Sequence, residues 1–476
     1  MPEEIQSPSF PPGWGETLKP PPPPLPPTGS AAAFHFEEGS KIGSLKKILP
    51  IFLVLILLIG GGFLAFKFLF SKVKKPAEVT LKYWGLWEQS NVMTGVLADW
   101  NKDHPNIKVE YSRQSPKEYR ERLQSALARD EGPDLFRFHI TWTPMLKNEL
   151  ESVPADVMSA SQFESTFYPV AKEHLRSGTS FLGIPLEIDT LALFYNQEIF
   201  QAAGKTPPTT WDELRKLAIE LTTKDETGKI QTAGVALGTI NNVDHWSDIL
   251  GLMMLQNGAD LTNPTDSLAE DALTFYTVFN KTDQVWDETL PGSTLAFATG
   301  KVAMYFGFSW DVFEIKNINP NLDFRVVPVP QLPGTDLTWA SFWVEGVAKK
   351  SKYQKEAWEF LKFLSTPETL QKLYQAESQA RLFGEPYSQI QMASMITTDP
   401  LVAPFVSQAG KAQTWYLCSR TWDNGINDKM IKYFEDAVNA LNNPNLGKTV
   451  KDVLQTASQG VAQTLSQYGL SAKVVP

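Results

Sequence analysis

FLGIPLEIDTLALFYN, residues 181–196, is the stretch from which the fold is read. Gly183 and Pro185 set its start, and Leu191, Leu193 and Tyr195 alternate with Ala192 and Phe194, as in a buried strand with both faces covered. Glu187 and Asp189 interrupt the apolar run, and Asn196 closes it. A buried unpaired charge is costly, so these carboxylates must face a cavity, a partner or a hinge. The segment is expected to cross between two lobes, with Glu187 and Asp189 at the cleft.

On its N-terminal side, VTLKYWGL (residues 79–86) and IKVEY (107–111) alternate as strands. Between them Ser90 is placed to cap a helix with Val92, Val96, Leu97 and Trp100 on one stripe. Ser115, Pro116 and Glu118 predict a capping box for a helix that turns Tyr119, Leu123, Ala126 and Leu127 inward. Gly132, Pro133, Asp134 and the strand LFRF close a β-α-β-α-β unit, which predicts an α/β lobe on a largely parallel sheet. Downstream, Thr210 and Glu213 make a second capping box, before a stripe of Trp211, Leu214, Leu217, Ala218 and Leu221. GKVAMYFGFSW (300–310), DFRVVPVP (323–330) and SFWVEGVAKK (341–350) read as strands. Pro328 and Pro330 confine the second of these to an edge or an exit. A helix carrying Ala357, Trp358, Leu361 and Leu364 follows, and there is no tandem repeat.

A chain of 476 residues, 42% hydrophobic and 12% aromatic, is ample for two globular lobes. Its net charge of -10 argues against a nucleic-acid partner, which calls for a basic face. With Cys418 alone, no disulfide within the chain and no thiolate metal cluster can form. The five histidines lack metal-ligand spacing, and neither a metal nor a cofactor is expected.

Residues 1–44 are expected to be a disordered tail, in which KPPPPPLPP (19–27) favours extended polyproline and reads as a stiff spacer or a ligand for a proline-recognising domain. Residues 45–70 are expected to form a transmembrane helix. The uncharged run ILPIFLVLILLIGGGFLAF opens at Ile48 and closes at Phe66, and as a helix it would cover about 28 Å. Its late position, and the lack of a small-x-small site or a lipid-accepting cysteine after it, favour an uncleaved anchor over a signal peptide. Lysines flank both ends, so the charge bias leaves orientation to the large domain. The link 71–78 reaches no further than roughly 26 to 29 Å and keeps that domain near the membrane.

The motifs GPDLF (132–136), GIPLEIDTLALFYNQEIFQAAG (183–204), PPTTWDEL (207–214), GKVAMYF (300–306) and KEAWEFLKFLSTPE (355–368) stand in an order that resembles the extracellular solute-binding proteins of family 1. These are sugar-binding subunits of ABC importers, similar to maltose-binding protein. The resemblance runs from about residue 79 to at least 374. It implies a periplasmic-binding-protein-like fold of two α/β lobes that close on a ligand by hinge motion. Lobe one would comprise about 79–187 and 346–400, and lobe two about 190–342 and 401–470. The crossings would lie near 187–191, near 343–347 and around 390–410. The membrane anchor departs from the family's common lipid-held or released forms.

Candidate ligand contacts follow from sugar chemistry. An indole plane meets the C–H face of a sugar ring while polar side chains take its hydroxyls. Trp84 and Trp87 end the first strand, where open α/β sheets bind ligands. Trp246, Trp310 and Trp343 fall where the resemblance places cleft-lining motifs. Glu88, Asp189 and Glu345 can accept hydrogen bonds from hydroxyls, and Arg137 and Arg381 can donate them. Each has a plainer alternative: core packing for the tryptophans, a salt bridge for the charged groups. Trp100, Trp211 and Trp358, on helical stripes, are core.

The expected function is a membrane-anchored receptor that captures a sugar or oligosaccharide outside the cytoplasmic membrane and passes it to ABC permease subunits. An anchored glycosidase using two carboxylates is one rival, but no GxSxG, HExxH or phosphate loop is present. A ligand sensor or scaffold is another, which the fold cannot separate from a transporter subunit.

Overall fold

The computed structural model describes residues 78–470. The proline-rich tail, the apolar run 48–66 and the link 71–77 lie outside these residues. Among the described residues no helix is long and apolar enough to cross a membrane.

Strand β1 (Val79–Gly85) buries Val79, Leu81 and Tyr83 on one face, as the alternation predicts. It pairs in parallel with β2 (Ile107–Arg113) and β3 (Leu135–His139), the intervening turns being helices α1 (Ser90–Asp103) and α2 (Tyr119–Ala128). Two expected caps are not made. Helix α1 begins at Ser90 itself, with Gln89 as an uncapped N-cap. Glu118 takes a left-handed conformation at φ 54°, so it cannot reach back, and Ser115 bonds the Lys117 amide instead. Burial of the helix stripes holds both helices without these caps.

The stretch 181–196 is not one strand. Ser180–Phe181 pairs with Arg176–Ser177, the backbone then runs irregularly through isolated bridges at Ile184, Glu187 and Thr190, and only β4 (Ala192–Asn196) joins a larger sheet. In that second sheet the helix α3 (Trp211–Leu221), opened by the expected Thr210–Glu213 capping box, packs on β6 (Ile230–Val235). β5 (Thr223–Lys224) flanks β6 at the edge. After α4 (Trp246–Gln256) and α5 (Ser267–Lys281) come β7 (Val302–Gly307), α6 (Ser309–Ile318) and β8 (Phe324–Val327). The sheet order is β8-β4-β7-β6-β5, with β8 at the edge, where Pro328 ends it.

The chain returns to the first sheet as β9 (Trp343–Val347), antiparallel to β3 along its whole length, giving the order β9-β3-β1-β2. Since 343–347 is occupied in that pairing, the second crossing lies just before it. Residues 184–191 are stitched to the returning passages by Ile184 N–H to Glu345 O at 2.9 Å, Ile188 N–H to Pro386 O at 2.9 Å and Leu191 N–H to Trp339 O at 2.8 Å. The third passage meets the first at Pro386 and Tyr387, and again within the expected 390–410, where Thr190 Oγ1 donates to Phe405 O at 2.8 Å and Gln408 Nε2 to Leu191 O at 2.7 Å. Helices α7 (Gln354–Leu364) and α8 (Pro367–Ala380) follow β9, while α9 (Ile426–Asn442) and α10 (Val450–Gln467) pack together against α5.

The closest helix-on-sheet approach is at Gly234 in β6, where a Cβ would overlap the Ala218 carbonyl of α3. Neither backbone can yield without separating the helix from the sheet. Gly234→Ala is expected to destabilise the protein by about 3 kcal/mol. The check is urea denaturation, and an unchanged midpoint would refute this packing.

Candidate functional site

The three passages enclose a cavity of about 200 Å³. Its apolar walls are Trp87, Trp310, Trp343 and Trp422. Its polar lining comes from His139, Ser341, Glu187, Asp189, Arg381, Glu385, Ser419 and Arg420. Of the ten predicted contacts, Trp87, Asp189, Trp310, Trp343 and Arg381 are brought together here.

The tryptophan walls are braced from behind. Trp343 is met edge-on by Trp87 at 5.5 Å, Trp142 at 5.1 Å and His139 at 5.1 Å between ring centres. Trp310 stacks on Phe308 at 4.4 Å, and its Nε1–H has no hydrogen-bond partner among the described residues. A buried donor without a partner at a cavity wall is an open valence for a ligand. Trp422 is 46% exposed and held at φ 44° between Arg420 and Asn424, both also left-handed. The Asp423 carboxylate clamps this loop by accepting the amides of Gly425 at 2.8 Å and Asn427 at 3.1 Å.

The other five predicted contacts lie elsewhere. Trp84 faces a separate groove with Gln114, Glu118 and Asn424, because a strand's alternate residues point to opposite sides. Trp246 begins α4 and is buried in the core. Glu88, Arg137 and Glu345 satisfy one another instead of a ligand. Arg137 Nε meets Glu345 Oε1 at 2.6 Å, its Nη1 meets Glu88 Oε1 at 2.6 Å, and Tyr83 donates to Glu345 at 2.9 Å. The plainer reading, a structural salt bridge, holds for these three.

Asp189 does reach the cavity, yet its carboxylate is largely engaged. It accepts from the Ser309 amide at 3.0 Å, the Ser309 hydroxyl at 2.5 Å and the Thr190 amide at 2.8 Å. It thereby sits at the N-terminus of α6, where a helix favours negative charge. Burial nevertheless pushes its pKa up, against the Ser309 hydrogen bond. Arg381 is likewise anchored, to Glu385 at 2.7 Å and Glu377 at 3.2 Å, and lies 4.8 Å above the Phe313 ring of α6.

His139, Ser341, Glu385, Ser419, Arg420 and Trp422 were not legible as site residues. Trp422 and Arg420 lie in a loop without periodicity, and the buried His139 and His245 act through partners distant in sequence. His245 Nε2 lies 2.8 Å from Asp311 Oδ2, and its Nδ1 lies 2.9 Å from Ser419 Oγ. This resembles a hydrolytic triad, but the two ring nitrogens are exchanged relative to one. The Ser419 amide is also spent on Asp248 at 3.1 Å, which places a carboxylate where an oxyanion hole would be needed. The geometry binds and does not activate a nucleophile.

Glu187 and Glu385 both line the cavity, close enough that the charge of Glu385 disfavours ionising Glu187. Burial, then the Glu385 charge, raises the Glu187 pKa well above the usual range. Burial works against ionising Glu385, but the charge and hydrogen bond of Arg381, together with the more distant Arg137, hold its pKa down at about 2. A carboxyl that keeps its proton in the fold stabilises the native state most fully below about pH 4, the unfolded value. That contribution is lost as pH rises toward the folded pKa. Glu187→Gln has no such titration. Its melting temperature relative to the unmodified protein is therefore expected to rise from pH 5 to pH 9, at up to about 1.4 kcal/mol per pH unit. Parallel melting curves across that range would refute the retention of the Glu187 proton.

Residues 95–381 match the family model described as bacterial extracellular solute-binding protein. The multiple sugar-binding protein of Streptococcus mutans is 26% identical over 209 residues, covering 41% of this chain. The chain spans about half of that relative's length, 49%. A cyclo/maltodextrin-binding protein complexed with maltotetraose superposes with a TM-score of 0.67 at 19% identity, over 83% of this chain and 99% of that one. A solute-binding protein of Thermotoga lettingae bound with α-D-tagatose gives 0.63 at 20% identity, over 81% and 100%. The fold is the two-domain α/β solute-binding fold, and these relatives are binding proteins, which sets the glycosidase alternative aside. On the family match and this architecture, the chain belongs to the bacterial extracellular solute-binding proteins.

Proposed function

We propose that this protein captures a sugar or oligosaccharide between its lobes and presents it to the permease subunits of an ABC importer. Residues 48–66 would hold it on the outer side of the cytoplasmic membrane. The observation that carries the carbohydrate reading is the cavity itself, four indoles around a polar floor. Flat apolar faces with hydrogen-bonding groups between them suit a ring that is apolar on its C–H faces and polar at its rim. The relatives' names point the same way, to sugars in general, to maltotetraose and to tagatose.

In this reading Trp87, Trp310, Trp343 and Trp422 are the stacking surfaces. Trp310 Nε1, Ser341, Ser419 and Arg420 meet hydroxyls, while Asp189 and Arg381 mainly fix the geometry of the crossings. Hinge closure about the stitched passages would complete the enclosure, and affinity would be the contact energy less the cost of closing.

The test is isothermal titration of the detergent-solubilised full-length protein against mono- and oligosaccharides, tagatose and maltotetraose among them. Trp422→Ala is expected to weaken binding roughly tenfold or more with an unchanged melting temperature, since this side chain is half exposed. Trp84→Ala is expected to leave affinity unchanged. If no saccharide binds the folded protein, the carbohydrate reading falls.

A further inference from the structure

Two serines on the cavity wall are backed by histidine relays of different construction. We infer that these relays give the two hydroxyls opposite polarity, Ser341 facing the ligand as a hydrogen-bond donor and Ser419 as an acceptor. The cavity then selects a ring that offers an acceptor oxygen at one point and an O–H at the other. The identity of that ring as a sugar rests on the reading proposed above.

The first relay starts at Asn427. Its Nδ2 donates to the Asp423 carboxylate at 2.8 Å, and a carboxylate only accepts, so the amide orientation is fixed. The second Nδ2 hydrogen goes to Thr141 Oγ1 at 2.7 Å. The Thr141 amide donates to His139 Nδ1 at 3.4 Å, which marks that nitrogen as an acceptor, and the Thr141 hydroxyl, 2.7 Å from it, points its own proton there too. A ring nitrogen facing two donors is the lone-pair nitrogen. Burial keeps His139 neutral, so its one proton is on Nε2 and is donated to Ser341 Oγ at 3.1 Å. The Ser341 proton is left over. A ligand oxygen in the cavity is placed to take that proton.

The second relay ends on Asp311. Its carboxylate, which also accepts the Phe308 amide at 2.8 Å, faces His245 Nε2 at 2.8 Å and requires a proton there. With neutral imidazole, Nδ1 is the acceptor and Ser419 donates to it at 2.9 Å. The Ser419 proton is then committed inward, and only its lone pairs remain for the cavity. The first relay has the Asn427 amide and the Thr141 hydroxyl between carboxylate and imidazole, where the second has none, and the outcome is reversed.

Two measurements on the full-length protein test this. The first, which needs no ligand, is nitrogen-15 NMR of the histidine rings, assigned through single His→Gln variants. The expected result is a proton on Nε2 at both His139 and His245, with an Nδ1 lone pair at His139. A neutral ring protonated on Nδ1 at either position overturns the inference, whether or not any sugar binds.

The second is titration with maltose and its monodeoxy and monodeoxyfluoro derivatives, since fluorine accepts weakly but cannot donate. At the hydroxyl facing Ser419, both replacements are expected to weaken binding roughly tenfold or more, and Ser419→Ala is expected to abolish that discrimination. At the hydroxyl facing Ser341, the fluoro compound is expected to outbind the deoxy compound severalfold, a difference lost in Ser341→Ala. The reverse assignment of the two serines would overturn the inference. Absence of any maltose binding would count against the sugar reading and leave the NMR result to decide the polarity.

Discussion

The Arg137 guanidinium, 2% exposed and held between Glu345 and Glu88, is the constraint on which the site depends. Taking three charges out of water costs more than their attraction readily returns, so the network is poorly explained as a source of stability. Its effect is on register. Arg137 stands opposite Glu345 across the β3–β9 pair, and two residues along, on the same face, His139 stands opposite Trp343. A slip of one residue would send Trp343 to the other face. The ion pair therefore holds the histidine and the indole side by side, and with them one wall of the cavity.

A second consequence concerns charge. Glu187, Glu377 and Glu385 join Glu88 and Glu345 around only two guanidiniums, those of Arg137 and Arg381. Like charges at such spacing cannot all ionise. The proton that burial and the Glu385 charge keep on Glu187 is the local solution, and burial raises Glu377 as well. The passages between the lobes are thus polar and hydrogen-bonded where they might have been apolar. Such a junction specifies one arrangement of its strands, because every wrong pairing strands a charge.

The sequence made the lobes legible because they rest on local rules. The β-α-β-α-β order, the Thr210–Glu213 box and the edge position of the Pro328 strand all appear in the structure. Where tertiary burial does the holding, local rules failed: α1 and α2 form without the caps at Ser90 and Ser115. The stretch 181–196 reads as a strand because it is apolar and alternating. It crosses as irregular backbone because Ile184 and Leu191 bond one returning passage, at Glu345 and Trp339, and Ile188 bonds another, at Pro386. Glu88 and Glu345 looked like cleft residues for the right reason, since buried carboxylates need partners. Their partner is Arg137, and no periodicity distinguishes a guanidinium of this chain from a ligand's hydroxyl.

His139, Ser341 and Ser419 were missed for the complementary reason. Ser341 and His139 are 202 positions apart, and His245 and Ser419 are 174 apart, so nothing in local spacing joins them. Each serine lies on the cavity wall, and its hydroxyl is oriented by a chain of groups running back into the protein, from Ser341 through His139 to Thr141 and from Ser419 through His245 to Asp311. A hydroxyl left to rotate would have to be ordered when the ligand arrives, at a cost to affinity. One already oriented by a buried imidazole imposes no such cost, and it also rejects a ring that offers the wrong polarity. Selectivity in this cavity then resides less in the four indoles, which accept any flat apolar face, than in the buried partners behind its serines.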